Sequence, residues 1–127
     1  DFIPDPIHAG GLRYHGMAPL ISHIYELGLI EAEARPQREC FAAGVQFART
    51  EGIVPAPEPT HALAAAVDEA LRCKETGEEK VILTALCGHG MLDMAAYNAY
   101  FADELVDHEF PDAQMRGALT RIPQLDL

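Results

Sequence analysis

The sequence predicts an α/β fold, a partial three-layer unit in which a small parallel sheet of two clear strands is flanked by four to five helices. Three observations carry this expectation. Residues 80–86, KVILTAL, form a continuous apolar run of strand length, the pattern of a strand buried on both faces of a parallel sheet. On both sides of that run apolar residues recur at helical spacing. The run is followed at once by Cys87-Gly88-His89-Gly90, a tight loop at the end of the expected strand, where α/β folds place ligands.

Residues 1–16, DFIPDPIHAGGLRYHG, hold prolines and glycines without periodicity and are expected to be an irregular N-terminal segment, with residues 17–127 forming the α/β portion. Leu20, Ile24 and Leu27 predict a helix over 17–27, with Gly28 as its stop. Ile30 to Ala34 alternates like a short strand. Pro36 opens a second helix that carries Phe41, Val45 and Ala48 on one face and stops at Gly52. The prolines of GIVPAPEPT predict an extended segment ending at Thr60, the expected N-cap of a helix with Leu63, Val67 and Leu71 on one face. Beyond the glycine loop, Met94, Tyr97, Phe101 and Leu105 mark another helix, and 112–121 a last weak one. Two strands make a poor sheet for so many helices, so the sequence reads as part of a larger one.

Nine basic against twenty acidic residues give a formal net charge of -11, the wrong sign for gripping a phosphate backbone, so nucleic acid is not an expected partner. No apolar run reaches the roughly 18–20 residues that span a bilayer, and no basic-then-apolar leader stands at the start. The expected location is the cytoplasm, with no membrane partner. Cys40, Cys73 and Cys87 are odd in number and spaced unlike a zinc knuckle, and are expected to be reduced thiols.

The Cys87–Gly90 loop combines a thiol, an imidazole and two flexible backbone positions. A strand-to-helix turn with a buried thiol accounts for the same residues, and a Cys-His nucleophile needs a geometry that adjacency does not supply. The six histidines include no i, i+4 pair of the helical zinc type. Glu51, at a helix end, and Glu58, in the proline-rich segment, are the carboxylates nearest the other candidates, and each has an ordinary reading as a solvated group.

Three stretches, AGGLRYHGMAPL, RTEGIVPAPEPTHALAAA and ILTALCGHG, resemble in the same order three landmarks of tryptophan synthase β chains, and most resemble the divergent β-chain-like branch. The resemblance implies the C-terminal part of a fold type II pyridoxal-phosphate enzyme, a lyase of tryptophan biosynthesis in which indole replaces the hydroxyl of L-serine. It implies that Cys87 hydrogen-bonds the pyridine nitrogen of the cofactor, with Gly88 and Gly90 in the same cofactor-binding loop, and that Glu51 is a catalytic carboxylate beside the ring. It implies that Tyr14 and Gly16 offer backbone carbonyls to a monovalent cation. Arg13 departs from the family, whose common branch has an aspartate that helps close the site.

In this family the lysine that carries the cofactor and the glycine-rich loop that holds its phosphate lie upstream of the matched region. The two lysines here, Lys74 and Lys80, stand in polar surroundings and are expected to be solvated. The isolated chain is therefore expected to be inactive and to leave pyridoxal phosphate unbound. Its expected partners are the N-terminal portion of the β chain, a second copy in a homodimer, and an α chain. Two competing readings stand beside this one: a non-catalytic, self-associating α/β interaction module, and a cysteine-dependent enzyme built on Cys87 and a histidine.

Overall fold

Two long helices and the segment between them position everything else. The computed structural model describes residues 5–14, 16–108 and 111–120. In order, the helices are α1 (Pro19–Glu26), α2 (Gln37–Glu51), α3 (Pro57–Thr76), α4 (Met94–Phe101) and α5 (Asp112–Leu119), with single 3-10 turns at Gly10–Leu12 and Gly90–Leu92. Helix α2 follows an extended Pro36 and ends at Gly52, whose N–H donates to the Ala48 carbonyl at 3.0 Å. Helix α3 starts four residues earlier than the sequence suggests, with Ala56 and not Thr60 as its N-cap. Pro57 and Pro59 fall in its first turn, where backbone N–H groups have no intrahelical acceptor, so the rings cost no hydrogen bond. Thr60 is thus not the N-cap; its hydroxyl donates back to the Pro57 carbonyl at 2.5 Å inside the first turn.

The core lies on two faces of α2. On one, Phe41 meets Tyr97 of α4 edge to face with ring centroids 5.0 Å apart and stacks on Tyr100 at 5.8 Å; Ala96 and Leu105 complete the cluster. On the other, Ala43 and Phe47 pack against Leu63 and Ala64 of α3. Cys40 is fully buried beside these faces, and burial pushes its thiol up to about 11, so it stays protonated and serves as a packing group. Arg35 ties the chain before α2 to both long helices: its guanidinium reaches Glu33 at 2.7 Å, Glu39 at 2.6 Å and Asp68 at 2.6 Å. No residue of α1 is buried. The chain exposes 9862 Å², against about 6,600 Å² for an ordinary folded monomer of this mass, so the core is thin for the length of chain it serves.

The expected parallel sheet is absent among the described residues. Among the described residues there is no strand, and the only sheet-like pairing is one isolated antiparallel bridge between Pro55 and His89. The partial three-layer α/β class is thereby overturned: the described fold is helical. Residues 80–86 carry no regular structure and run along the groove between α2 and α3, where Ile82 and Thr84 line one pocket with Phe47 and Val67. Val81 and Leu83, at 99% and 94% exposure, face outward. An apolar run specifies burial, but a strand also needs a neighbour for its N–H and C=O groups, and no described residue offers 80–86 one. The short strand expected at 30–34 is likewise unpaired irregular chain, with Glu33 held by Arg35. The last helix ends at Leu119, and Arg121, its expected end, lies outside the described residues.

Candidate functional site around the Pro55–His89 bridge

The bridge brings together segments that are far apart in sequence. The Gly90 N–H donates to the Val54 carbonyl at 2.7 Å and the Ala56 N–H to the Gly88 carbonyl at 3.1 Å. These bonds flank Pro55 and His89, which face each other as a non-hydrogen-bonded pair. Proline fits there because its missing N–H is not called upon. Gly88 has φ +149°, and a Cβ on it would lie 2.9 Å from that of Ala56; a Cβ on Gly90 would lie 2.4 Å from the Pro55 carbonyl oxygen. Gly90 is therefore required by close backbone approach, and Gly88 by its positive φ and the nearby Ala56 methyl.

Glu51, the last residue of α2, lies four residues before Pro55 on one arm, and Cys87 two residues before His89 on the other. Both side chains are exposed. Cys87 has no hydrogen-bond partner among the described residues. His89 does not complete a Cys-His pair: its Nδ1 accepts the Met91 N–H at 3.2 Å and caps the 3-10 turn that follows.

A second tie joins the N-terminal segment to the same locus. The Glu58 carboxylate, in the first turn of α3, accepts the Gly11 N–H at 2.8 Å. Glu58 is thus an anchor. Tyr14 and Gly16 follow Gly11 on this segment and are exposed; they flank residue 15, which lies outside the described residues. Among the described residues, no cluster of three or more His, Cys, Asp or Glu is arranged to hold a metal ion.

Two residues that hold this arrangement are not apparent from the sequence. Tyr97 donates its hydroxyl to the Pro55 carbonyl at 2.7 Å, 42 positions away. The buried Gln37 accepts the His8 N–H at 3.4 Å and donates to the Val106 carbonyl, joining the N-terminal segment and the chain after α4 to the start of α2. An amide at a helix start, or a tyrosine within an apolar stripe, carries no sign of so distant a partner.

No family model matches the chain. It is 65% identical over 107 residues to "Tryptophan synthase beta chain 2" of Aquifex aeolicus, covering 84% of this chain and 25% of that protein. It is 62% identical over 103 residues to the protein of the same name from Methanosarcina mazei, covering 81% and 23%. With that of Thermotoga maritima it shares 57% over 97 residues, covering 76% and 23%. Identity at this level over four-fifths of the sequence makes the chain a member of the tryptophan synthase β-chain family, spanning about a quarter of its relatives' length.

Proposed function

We propose that this chain is the C-terminal part of a pyridoxal-phosphate-dependent tryptophan synthase β-like enzyme that joins L-serine and indole by β-replacement, and that it contributes Glu51 and the Cys87–Gly90 loop to the cofactor site. One observation carries the reading: the three stretches that resemble the family converge on residues 54–58, through the Gly11–Glu58, Val54–Gly90 and Ala56–Gly88 hydrogen bonds.

The residues present fit one edge of a cofactor site. Cys87 offers an exposed, unengaged thiol, and the loop behind it is held by backbone bonds. They do not supply the rest. Lys80 is occupied by Glu69 at 3.0 Å and Glu78 at 3.4 Å, and these carboxylates hold its ammonium in the charged form. Lys74 lies in the last turn of α3, at the opposite end of that helix from the bridge. The covalent lysine and the phosphate-binding loop are assigned to the part of the β chain that this sequence does not span.

When bound, the cofactor supplies the electron sink for replacing the serine hydroxyl. The chain's own residues set its surroundings. A neutral thiol at Cys87 facing the pyridine nitrogen leaves that nitrogen largely unprotonated, which favours elimination and addition at the β carbon over deeper carbanion chemistry. Glu51, beside the ring, serves proton transfer, and the carbonyls of Tyr14 and Gly16 hold a monovalent cation. The proposal includes a cytoplasmic location, a homodimer and, where Arg13 permits it, an α-chain partner. No helix among the described residues is long and apolar enough to cross a membrane.

Substitution at Cys87 tests the reading. In the complete enzyme Cys87→Asp is expected to change the product distribution from L-serine and indole while cofactor affinity stays within about threefold, because a carboxylate there would favour the protonated form of the ring nitrogen and leave the covalent and phosphate contacts alone. Unchanged chemistry would show that Cys87 does not face the ring.

A second reading, a self-associating interaction module, is favoured by the outward apolar side chains of Val81, Leu83 and Leu92. Both readings predict that the isolated chain is a dimer or larger in sedimentation. A clean monomer at high micromolar concentration that binds no apolar dye contradicts that expectation.

A further inference from the structure

We propose that Tyr97 is a positioning residue for the Glu51 and Cys87 site: by holding the Pro55 carbonyl, its hydroxyl fixes the bridge on which both residues are mounted. The functional meaning of this latch rests on the reading of that site given above; its geometry does not.

Pro55 is fully buried and occupies the non-hydrogen-bonding position of the bridge, so its carbonyl takes no N–H from the 88–90 arm and requires a donor elsewhere. Tyr97 is that partner, at 2.7 Å in a buried setting. The ring behind the hydroxyl is gripped by Phe41 of α2, the helix that ends in Glu51. The path therefore runs from α2 through α4 to Pro55, and across two backbone bonds to the Cys87 loop. Two such bonds with no continuing ladder are weak by themselves, so a third attachment from a packed helix decides whether the two arms keep their spacing. Burial raises the Tyr97 hydroxyl to about 12, which keeps it a donor throughout the neutral range.

Tyr97→Phe keeps the ring packing and removes only the hydroxyl. Amide exchange of the full chain, read on peptides covering 52–56 and 87–91, tests the consequence. Exchange at Ala56 and Gly90 is expected to accelerate about tenfold or more, with less than about twofold change across 63–73, as for loss of one local attachment. Leu63→Ala serves as the comparison, since it loosens the α2–α3 packing directly and is expected to speed exchange across 63–73. Unchanged exchange at Ala56 and Gly90 would overturn the proposal, and so would a Tyr97→Phe profile that matches Leu63→Ala. Neither readout involves the cofactor, so failure here leaves the roles of Glu51 and Cys87 to the Cys87→Asp experiment.

Discussion

Gly90→Ala is expected to destabilise the protein by about 2–4 kcal/mol, from overpacking and the loss of two backbone hydrogen bonds, and to abolish turnover in the complete enzyme. The added methyl would lie 2.4 Å from the Pro55 carbonyl oxygen and 2.8 Å from Val54 Cγ1. The first of these is backbone held by Tyr97, so it cannot swing aside as a surface side chain would. Relief requires opening the bridge, which breaks the Gly90–Val54 and Ala56–Gly88 bonds and separates the Glu51 arm from the Cys87 arm. Gly10→Ala is the matched control. A Cβ there meets nothing within 4 Å, and the change is expected to stay within about 0.5 kcal/mol, as for a surface substitution. Urea unfolding of the two variants measures the contrast, and equal midpoints would show that the bridge does not organise the site.

The bridge also shows where the sequence was informative and where it was not. Helices α2 and α3 were legible because one helix face repeats in each, and Gly52 marks the end of α2. The start of α3 was misplaced because three alternating prolines read as extended chain, although two of them cost nothing in a helix's first turn. KVILTAL was misread for a different reason. A continuous apolar run reports how much of a segment avoids water and is silent on whether a second segment stands beside it. Its alternation, with Ile82 and Thr84 against the helices and Val81 and Leu83 outward, is a property of the packing and not of the residue types.

The candidate site was legible as three family landmarks, and their convergence on residues 54–58 was not, since it is made by hydrogen bonds of the Gly11, Gly88 and Gly90 backbone with partners more than thirty positions away. Tyr97 was readable as one apolar helix position among four. Its hydroxyl, the group that matters here, has a partner that only the tertiary structure supplies.

The second large effect concerns the cofactor, and it follows from which groups this chain holds. Lys80 is ion-paired with Glu69 at 3.0 Å and Glu78 at 3.4 Å on the surface, and these carboxylates raise its pKa above the ordinary lysine value, which disfavours the uncharged amine that a carbonyl ligand needs. Pyridoxal phosphate should be titrated into this chain alone, and into this chain combined with the part of the β chain that it does not span. Visible absorbance and L-serine-dependent turnover with indole are followed in both. The account predicts free cofactor and no turnover for the chain alone, and stoichiometric binding with turnover for the pair. A saturable, site-specific cofactor spectrum from the chain alone, or a pair that binds cofactor equally well after Glu51 and the Cys87–Gly90 loop are deleted, would contradict it.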